Sequence, residues 1–328
     1  MLVLDQAAVT DLLDPEALID ALPSAMVSLS QGAVSLPPRI GVQVEDHQGL
    51  LAAMPVYLPA MGLLVCKLVS VYPGNGARGL DTHNASIQVF DAVTGLPVAL
   101  MDGTAITAER TAAGSALATR LLARENSTVM AMLGTGVQAE THLRLVSTVR
   151  AIREIRIFGR SSGKARALMK RFAGQDVLVN VVSSVEAAVS GADVVNVCTH
   201  ASEPILCSEW LSPGVHINSV GLNPAGRELA GTLVSSSSVY IEYRDAALGP
   251  GLAGSNDLLW PIRDGLMTAN DIVGEIGEVI SGTVPARQVE EEVTLYKSVG
   301  VGVQDAVAAG MVLDAARAAG QGVDLNFW

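Results

Sequence analysis

From Asn126 onward the chain keeps one rhythm of apolar and polar positions. Short apolar runs read as strands: TVMAML (128–133), EIRIFG (154–159), VLVNVV (177–182), DVVNVCT (193–199), HINSVG (216–221) and SVYIEY (238–243). Between the first four lie stretches with apolar positions at helical spacing: AETHLRLVSTV (139–149), GKARALMKRFA (163–173) and VEAAVSG (185–191). Strands and helices alternating in this way predict βαβ units. Right-handed crossovers then fold those units into a doubly wound parallel sheet with helices on both faces.

The first hundred residues have another texture. Asp14-Pro15-Glu16 opens a helix, with Asp as N-cap, Pro at the first helical position and an acid in the first turn. Leu18, Leu22 and Met26 follow at helical spacing, and Pro23 is expected to kink the helix. From Ile40 to Leu100 come β-rich runs (GVQV, LLVCKLVSVY, ASIQVFD) separated by Gly and Pro. Residues 104–124 read as a long helix rich in Ala and Leu, and QDAVAAGMVLDAARAAG (304–320) is helical again. If that last helix packs back on the first region, the organisation is α/β in two parts: a Rossmann-type sheet domain over 114–303, and a discontinuous α/β domain of 1–113 and 304–328.

Composition narrows the partners. Apolar residues make up 49% of 328 and charged residues 16%, which argues for a packed globular chain. The net charge of −12 is spread along the chain and disfavours nucleic acid and anionic membranes, both of which need clustered cations. The first residues carry no basic, then apolar, leader pattern, and no uninterrupted apolar run reaches the ~18 residues of a membrane span. Cys66, Cys198 and Cys207 form no CxxC pair and read as reduced core thiols, so the cytoplasm is the expected compartment. The five histidines show no metal-ligand spacing, and no metal is expected.

The chemistry begins where the first strand of the series ends. Gly134-Thr135-Gly136-Val137-Gln138-Ala139 fits GxGxxA between a strand and a helix. There Gly134 permits a tight turn, Gly136 lets backbone approach a pyrophosphate, and Ala139 lets helix and strand pack closely. The next strand ends in Gly159-Arg160-Ser161-Ser162, with Lys164 beyond and no acid to bond a ribose. This set suits the 2′-phosphate of NADP(H), with NAD(H) as the alternative, or it is a solvated basic turn.

No nucleophile motif accompanies the fold, so a hydride acceptor must be held by other means. Three cations stand out in or beside the non-Rossmann part. Arg39 follows Pro37-Pro38, Lys67 interrupts LLVCKLVSVY, and Arg110 lies early in the helix that leads into the first parallel strand. Each could grip a carboxylate. Each also has an ordinary reading, as a surface cation, a snorkelling edge lysine or a helix-face charge. Trp210, Trp260 and Trp328 fit core, surface or pocket equally.

The chain resembles the ornithine cyclodeaminase/mu-crystallin family over nearly its whole length. The resemblance rests on Met54-Pro55-Val56-Tyr57, Lys67-Leu68-Val69, MDGTAITAERTAA (101–113), LGTGVQAETH (133–142), EPILCSEWLSPGVHINSVG (203–221) and KSVGVGVQD (297–305). It lies closer to the mu-crystallin and imine-reductase side. It implies that the discontinuous domain binds substrate and forms a homodimer. It implies further that Arg39, Lys67 and Arg110 hold a substrate carboxylate, and that Val137 and Gln138 offer backbone to the pyrophosphate. Arg160, Ser161 and Ser162 would hold the adenosine phosphate, Thr199 would lie near the adenosine half, and Thr82, Arg110, Val220 and Ser298 would line the cofactor site.

One departure matters. Cyclodeaminases and related alanine dehydrogenases carry Asp two residues after the VG glycine, where this chain has Asn223 in VGLNPAGREL. Asn cannot serve as a general base, though it could orient a water or the imine nitrogen; it also suits a turn before Pro224. The expected activity is NADPH-dependent reduction of a cyclic or open-chain ketimine bearing a carboxylate, such as Δ1-pyrroline-2-carboxylate or Δ1-piperideine-2-carboxylate, to an L-amino acid. Lys67 would donate or relay a proton. The rival readings are an amino-acid dehydrogenase, an ornithine or lysine cyclodeaminase, and a ligand-binding protein without turnover.

Overall fold

The computed structural model describes residues 1–172 and 176–326; Ala173, which ends the second expected helix, and Trp328 lie outside that range. The chain forms two compact units. The first comprises Met1–Arg110 and the chain from Val301 onward, and the second is Thr111–Gly300. The divisions therefore fall at 110/111 and 300/301, against expected boundaries at 113/114 and 303/304.

The first unit opens with β1 (Leu2–Leu4), α1 (Gln6–Leu12) and α2 (Pro15–Ser30). Asp14 caps α2, its Oδ1 accepting from the Glu16 and Ala17 amides. The helix runs as one element through Pro23, which has no N–H to give the Ile19 carbonyl. Leu18, Ile19, Leu22, Met26 and Leu29 are buried along it, each such side chain contributing roughly 1.5–3 kcal/mol of apolar transfer. Then come β2 (Ile40–Val44), β3 (Gly49–Leu58), β4 (Leu63–Val71), β5 (His83–Asp91), β6 (Pro97–Asp102) and α3 (Gly103–Leu122).

The second unit carries β7 (Val129–Leu133), α4 (Val137–Val149), β8 (Glu154–Phe158), α5 (Ser162–Arg171), β9 (Leu178–Val181), α6 (Val185–Val189), β10 (Val194–Val197) and β11 (His216–Ser219). It continues with α7 (Gly231–Ser235), β12 (Ser238–Ile241), α8 (Arg244–Ala247), α9 (Asn256–Arg263), β13 (Ile272–Glu275), α10 (Ile276–Ser281) and β14 (Thr294–Lys297). The chain re-enters the first unit with α11 (Gly302–Ala319) and β15 (Val323–Asp324).

The first unit's sheet has the order β15-β1-β6-β5-β4-β3-β2, antiparallel apart from the parallel β1–β6 pair. Helix α11 packs on β3 and β4 and against α2. That explains why α11 is buried along most of its length. Strand alternation decides what faces α11. Met54, Val56, Val65 and Lys67 are buried, while Leu51, Leu68, Ile40 and Val42 point the other way and are exposed.

The second unit's sheet is parallel throughout, in the order β13-β12-β14-β11-β10-β7-β8-β9. The chain starts in the middle at β7, works outward through β8 and β9, then returns to the other side at β10. The reversal between β7 and β10 is the topological switch point, where open α/β sheets bind ligands beyond the strands' C-terminal ends.

Candidate functional site

The switch point holds the glycine loop. Gly134 follows β7 with φ +128°, a region that side chains avoid. A Cβ there would stand 2.2 Å from the Cys198 carbonyl oxygen at the end of β10, so only hydrogen fits between the two strand ends. Its amide donates to the Phe158 carbonyl of β8 at 2.9 Å. Gly136 differs: its φ is ordinary and a Cβ would meet nothing within 4 Å. It stands at the N-cap of α4 without a side-chain cap, Val137 is exposed, and Ala139 is fully buried beneath. An uncapped helix N-terminus opening onto free space fits a pyrophosphate.

Arg160, Ser161 and Ser162 follow β8 and are exposed. Ser161 caps α5, its hydroxyl accepting from the Lys164 amide at 3.3 Å, and Ser162 accepts from Arg166 at 3.2 Å. Partial burial and the nearby Arg160 guanidinium pull His200 below its usual value, which places Arg160 within electrostatic reach of the β10 loop.

The loops after β10, β11 and β14 are tied together below that edge. Glu228 accepts from the Thr199 hydroxyl (2.8 Å), the Ser219 hydroxyl (2.7 Å) and the Gly221 amide (2.9 Å). Lys297, fully buried, donates to Ser219 and the Gly221 carbonyl and pairs with Asp257 at 2.9 Å. Asp257 in turn accepts from the Glu228 and Leu229 amides. Ser298 donates to Glu242 at 2.8 Å, and Glu242 also takes the Val299 and Gly300 amides. Thr199, Val220 and Ser298 therefore come together with the glycine loop at one edge of the parallel sheet, held by carboxylates that the sequence reading did not single out. Lys297 and Glu242 carry the same signal as Lys67, a charge inside an apolar strand run.

Asn223 follows β11 in a turn. Its Oδ1 accepts from the Ala225 amide at 3.0 Å and its Nδ2 donates to the Ala201 carbonyl at 3.1 Å. Both ends of the side chain hold the loop. Trp210 and Trp260 are half-buried, and Arg227 and Arg263 lie over the Trp260 ring at 5.4 Å each.

In the first unit, Lys67 and Arg110 meet. Lys67 is 1% exposed, with Nζ 2.8 Å from Asp305 Oδ1 and a long 3.5 Å from the Thr107 hydroxyl. Arg110 is 6% exposed and donates through Nε to the same Oδ1 at 3.0 Å, and through a terminal nitrogen to Gln304 at 3.1 Å. Desolvation lowers the Lys67 ammonium to about 8, with Arg110 and Arg39 acting the same way and Asp305 opposing them. Against its own desolvation, Arg110 and Lys67 hold the Asp305 carboxyl below the usual range. Arg39 is half-buried and close enough for its charge to be felt at Lys67. Thr82 lies in this unit just before β5, beside His83. Asp305 and Gln304, like the second unit's carboxylates, are absent from the sequence assignment.

Cys66, Cys198 and Cys207 are free and half-buried rather than core. Among the described residues no cluster of three or more His, Cys, Asp or Glu could hold a metal, and no helix is long and apolar enough to cross a membrane.

Comparison with known proteins matches these features to a lineage. The chain is 40% identical over 301 residues to the ketimine reductase mu-crystallin of Mus musculus, covering 90% of this chain and 91% of that one. Its fold superposes on Δ1-pyrroline-2-carboxylate reductase of Thermococcus litoralis in complex with NADH and L-proline, with a TM-score of 0.95, 33% identity and coverage of 99% and 100%. An archaeal alanine dehydrogenase dimer with bound NAD gives 0.94 at 28% identity, over 100% of this chain and 99% of that one. The model of the ornithine cyclodeaminase/mu-crystallin family matches residues 1–320, and with the glycine loop at the switch point and the buried cations of the first unit, the chain belongs to that family.

Proposed function

We propose that this protein is an imine-reducing oxidoreductase that uses NADPH to reduce a ketimine carrying an α-carboxylate to an L-amino acid. The observation that carries this reading is the buried Lys67–Arg110 pair, two cations that share one oxygen of a single acid, Asp305, and so leave positive charge that suits an anionic ligand. The relatives named as a ketimine reductase and as a pyrroline-2-carboxylate reductase support the substrate class.

The nucleotide is assigned to the second unit. Gly134 and Gly136 admit the pyrophosphate, and the Val137 and Gln138 backbone at the start of α4 meets its charge. Arg160, Ser161 and Ser162 take the 2′-phosphate. Thr199, Val220 and Ser298 line the cofactor edge. When bound, the reduced nicotinamide supplies the hydride.

The substrate carboxylate is assigned to Arg39, Lys67 and Arg110. A guanidinium offers it paired donors, and Lys67 adds a point charge. Lys67, lowered to about 8, is also assigned the role of giving a proton to the product nitrogen near neutral pH. A protonated C=N carbon is already electrophilic, so orientation is the main demand on these residues. Asn223 is assigned to the loop turn, because both its polar ends are engaged there.

The functional unit is a homodimer. Ile40, Val42, Leu51 and Leu68 make an outer sheet face, 45–70% exposed, beside the edge strand β2, and a second copy covers it. The free thiols suit the cytoplasm.

The deciding experiment is a panel of cyclic and open-chain imines scored by NADPH consumption, with and without ammonia. Ammonia-independent turnover of a cyclic ketimine supports the proposal. Turnover only with a 2-oxo acid and ammonia would make the protein an amino-acid dehydrogenase, and net ammonia release from ornithine without net NADPH use would make it a cyclodeaminase. Full activity in Arg39→Ala would remove Arg39 from the clamp.

A further inference from the structure

Asp305 is the first turn's acid in α11, and the fold uses it unusually. One oxygen, Oδ1, accepts from Lys67 Nζ and Arg110 Nε at 2.8 and 3.0 Å, while Oδ2 is buried with no hydrogen-bond partner among the described residues. The side chains of Lys67 and Asp305 are 2% and 1% exposed. Two cations brought this close in a desolvated place repel each other, and each prefers to lose its charge. Arginine cannot, so the proton at risk is on Lys67. Around Lys67 stand Asp305 from α11, Arg110 and Thr107 from α3, Arg39 ahead of β2, and the apolar register partners Met54 and Ile87 on the flanking strands. Asp305 is the one acid in that set.

We propose that Asp305 is the positioning residue of the anion site: its Oδ1 fixes Lys67 and Arg110 as a pair, and its charge keeps Lys67 an ammonium so that the pair receives a carboxylate. The proposal rests on the reading of Lys67 and Arg110 as the carboxylate grip. Asp305 touches neither substrate nor cofactor in this scheme; it acts through the two cations. With one acid against three cations, the site keeps a net positive charge that attracts a carboxylate. Without Asp305 the site would shed the Lys67 proton, and the ammonium paired with Arg110 would no longer be there to receive the carboxylate.

The test reads Lys67 directly. Lysine side chains labelled with 13C at Cε are titrated by NMR in the full chain, the Lys67 signal being assigned by its loss in Lys67→Arg. In Asp305→Asn, which keeps the shape and removes the charge, the Lys67 titration should move down by about one pH unit or more. In Asp305→Glu, which keeps the charge, it should stay within about half a unit of the parent. In the imine assay Asp305→Asn should raise KM about tenfold at pH 8 and much less at pH 6, with NADPH affinity unchanged, because only deprotonated Lys67 loses the carboxylate. An unmoved Lys67 titration in Asp305→Asn overturns the proposal, as does an equal shift in Asp305→Glu. Should Asp305→Asn not fold, Asp305→Glu and the parent decide: a parent Lys67 already neutral at pH 7 also overturns it. If Lys67 shifts as expected but the parent neither binds nor reduces any carboxylate-bearing imine, the functional reading falls while the electrostatic role of Asp305 stands.

Discussion

Two glycines of one loop should fail in opposite ways. At Gly134, alanine would need φ +128° and would place Cβ 2.2 Å from the Cys198 carbonyl oxygen and 2.9 Å from its carbon. Both atoms are backbone, so one strand end must move by about 1 Å to restore contact distance. Strain in that region of backbone space costs roughly 1–3 kcal/mol, and the forced shift adds about as much. At roughly 2–4 °C per kcal/mol, Gly134→Ala should lower Tm by about 5–15 °C with no cofactor present. At Gly136 the Cβ meets nothing within 4 Å and φ is −91°. The poorer N-cap costs a few tenths of a kcal/mol to about 1, and the stiffer unfolded chain returns a similar amount, so Tm should barely change. The added methyl instead occupies the space through which a phosphate oxygen reaches backbone. Losing one charge-assisted bond of roughly 1.5–3 kcal/mol weakens NADPH about ten- to hundredfold. Differential scanning fluorimetry of the ligand-free variants and calorimetric titration with NADPH measure both quantities. Normal NADPH affinity in Gly136→Ala, or an unaltered Tm in Gly134→Ala, would refute the assignment of the loop.

Other outcomes follow from the same geometry. Arg160→Ala should raise the NADPH KM about ten- to hundredfold while leaving NADH within a few-fold, read by steady-state kinetics with each cofactor; equal effects on both would place the 2′-phosphate elsewhere. Glu228→Gln removes a carboxylate that takes donors from two loops and faces Lys297, so both stability and NADPH affinity should fall, by about 3–5 kcal/mol in denaturant unfolding. His142 and His216 are fully buried, and desolvation lowers them to about 4 and about 3. The unfolded chain takes up these protons below about pH 6.5 while the folded chain stays neutral, so stability is complete above that pH and falls as pH drops toward 4, by ~3 kcal/mol for His142 alone. Unfolding curves across pH 4–7 should flatten in a His142→Gln/His216→Gln double variant. Ile40→Lys with Val42→Lys should convert the dimer to monomer in light scattering; a parent that is monomeric at micromolar concentration removes the dimer proposal.

Much of the second unit was legible because a parallel sheet buried on both faces demands continuous apolar strands, and its helices demand amphipathic ones. TVMAML, EIRIFG and DVVNVCT each became a strand within a residue or two of the run. Residues 272–275 and 294–297 were missed: IVGE and TLYK are short, and TLYK carries a charge that only the buried partners of Lys297 explain. Strand β1, three residues long, gains its identity from pairing with β6 and with β15, more than three hundred residues away.

By itself the sequence determined the local alphabet: which runs are strands, where Asp14 starts a helix, where glycines make a turn that side chains could not, and that Lys67 is out of place in its strand. Those are short-range matters of sterics and periodicity. Only the tertiary structure decided which charges face each other. Asp305 lies 238 residues from Lys67 along the chain, and α11 must pack on β4 before one carboxylate can hold that lysine and Arg110 together. Burial then sets the electrostatics, because the strength of a charge depends on the dielectric around it, and that is a property of packing that no local stretch of sequence carries.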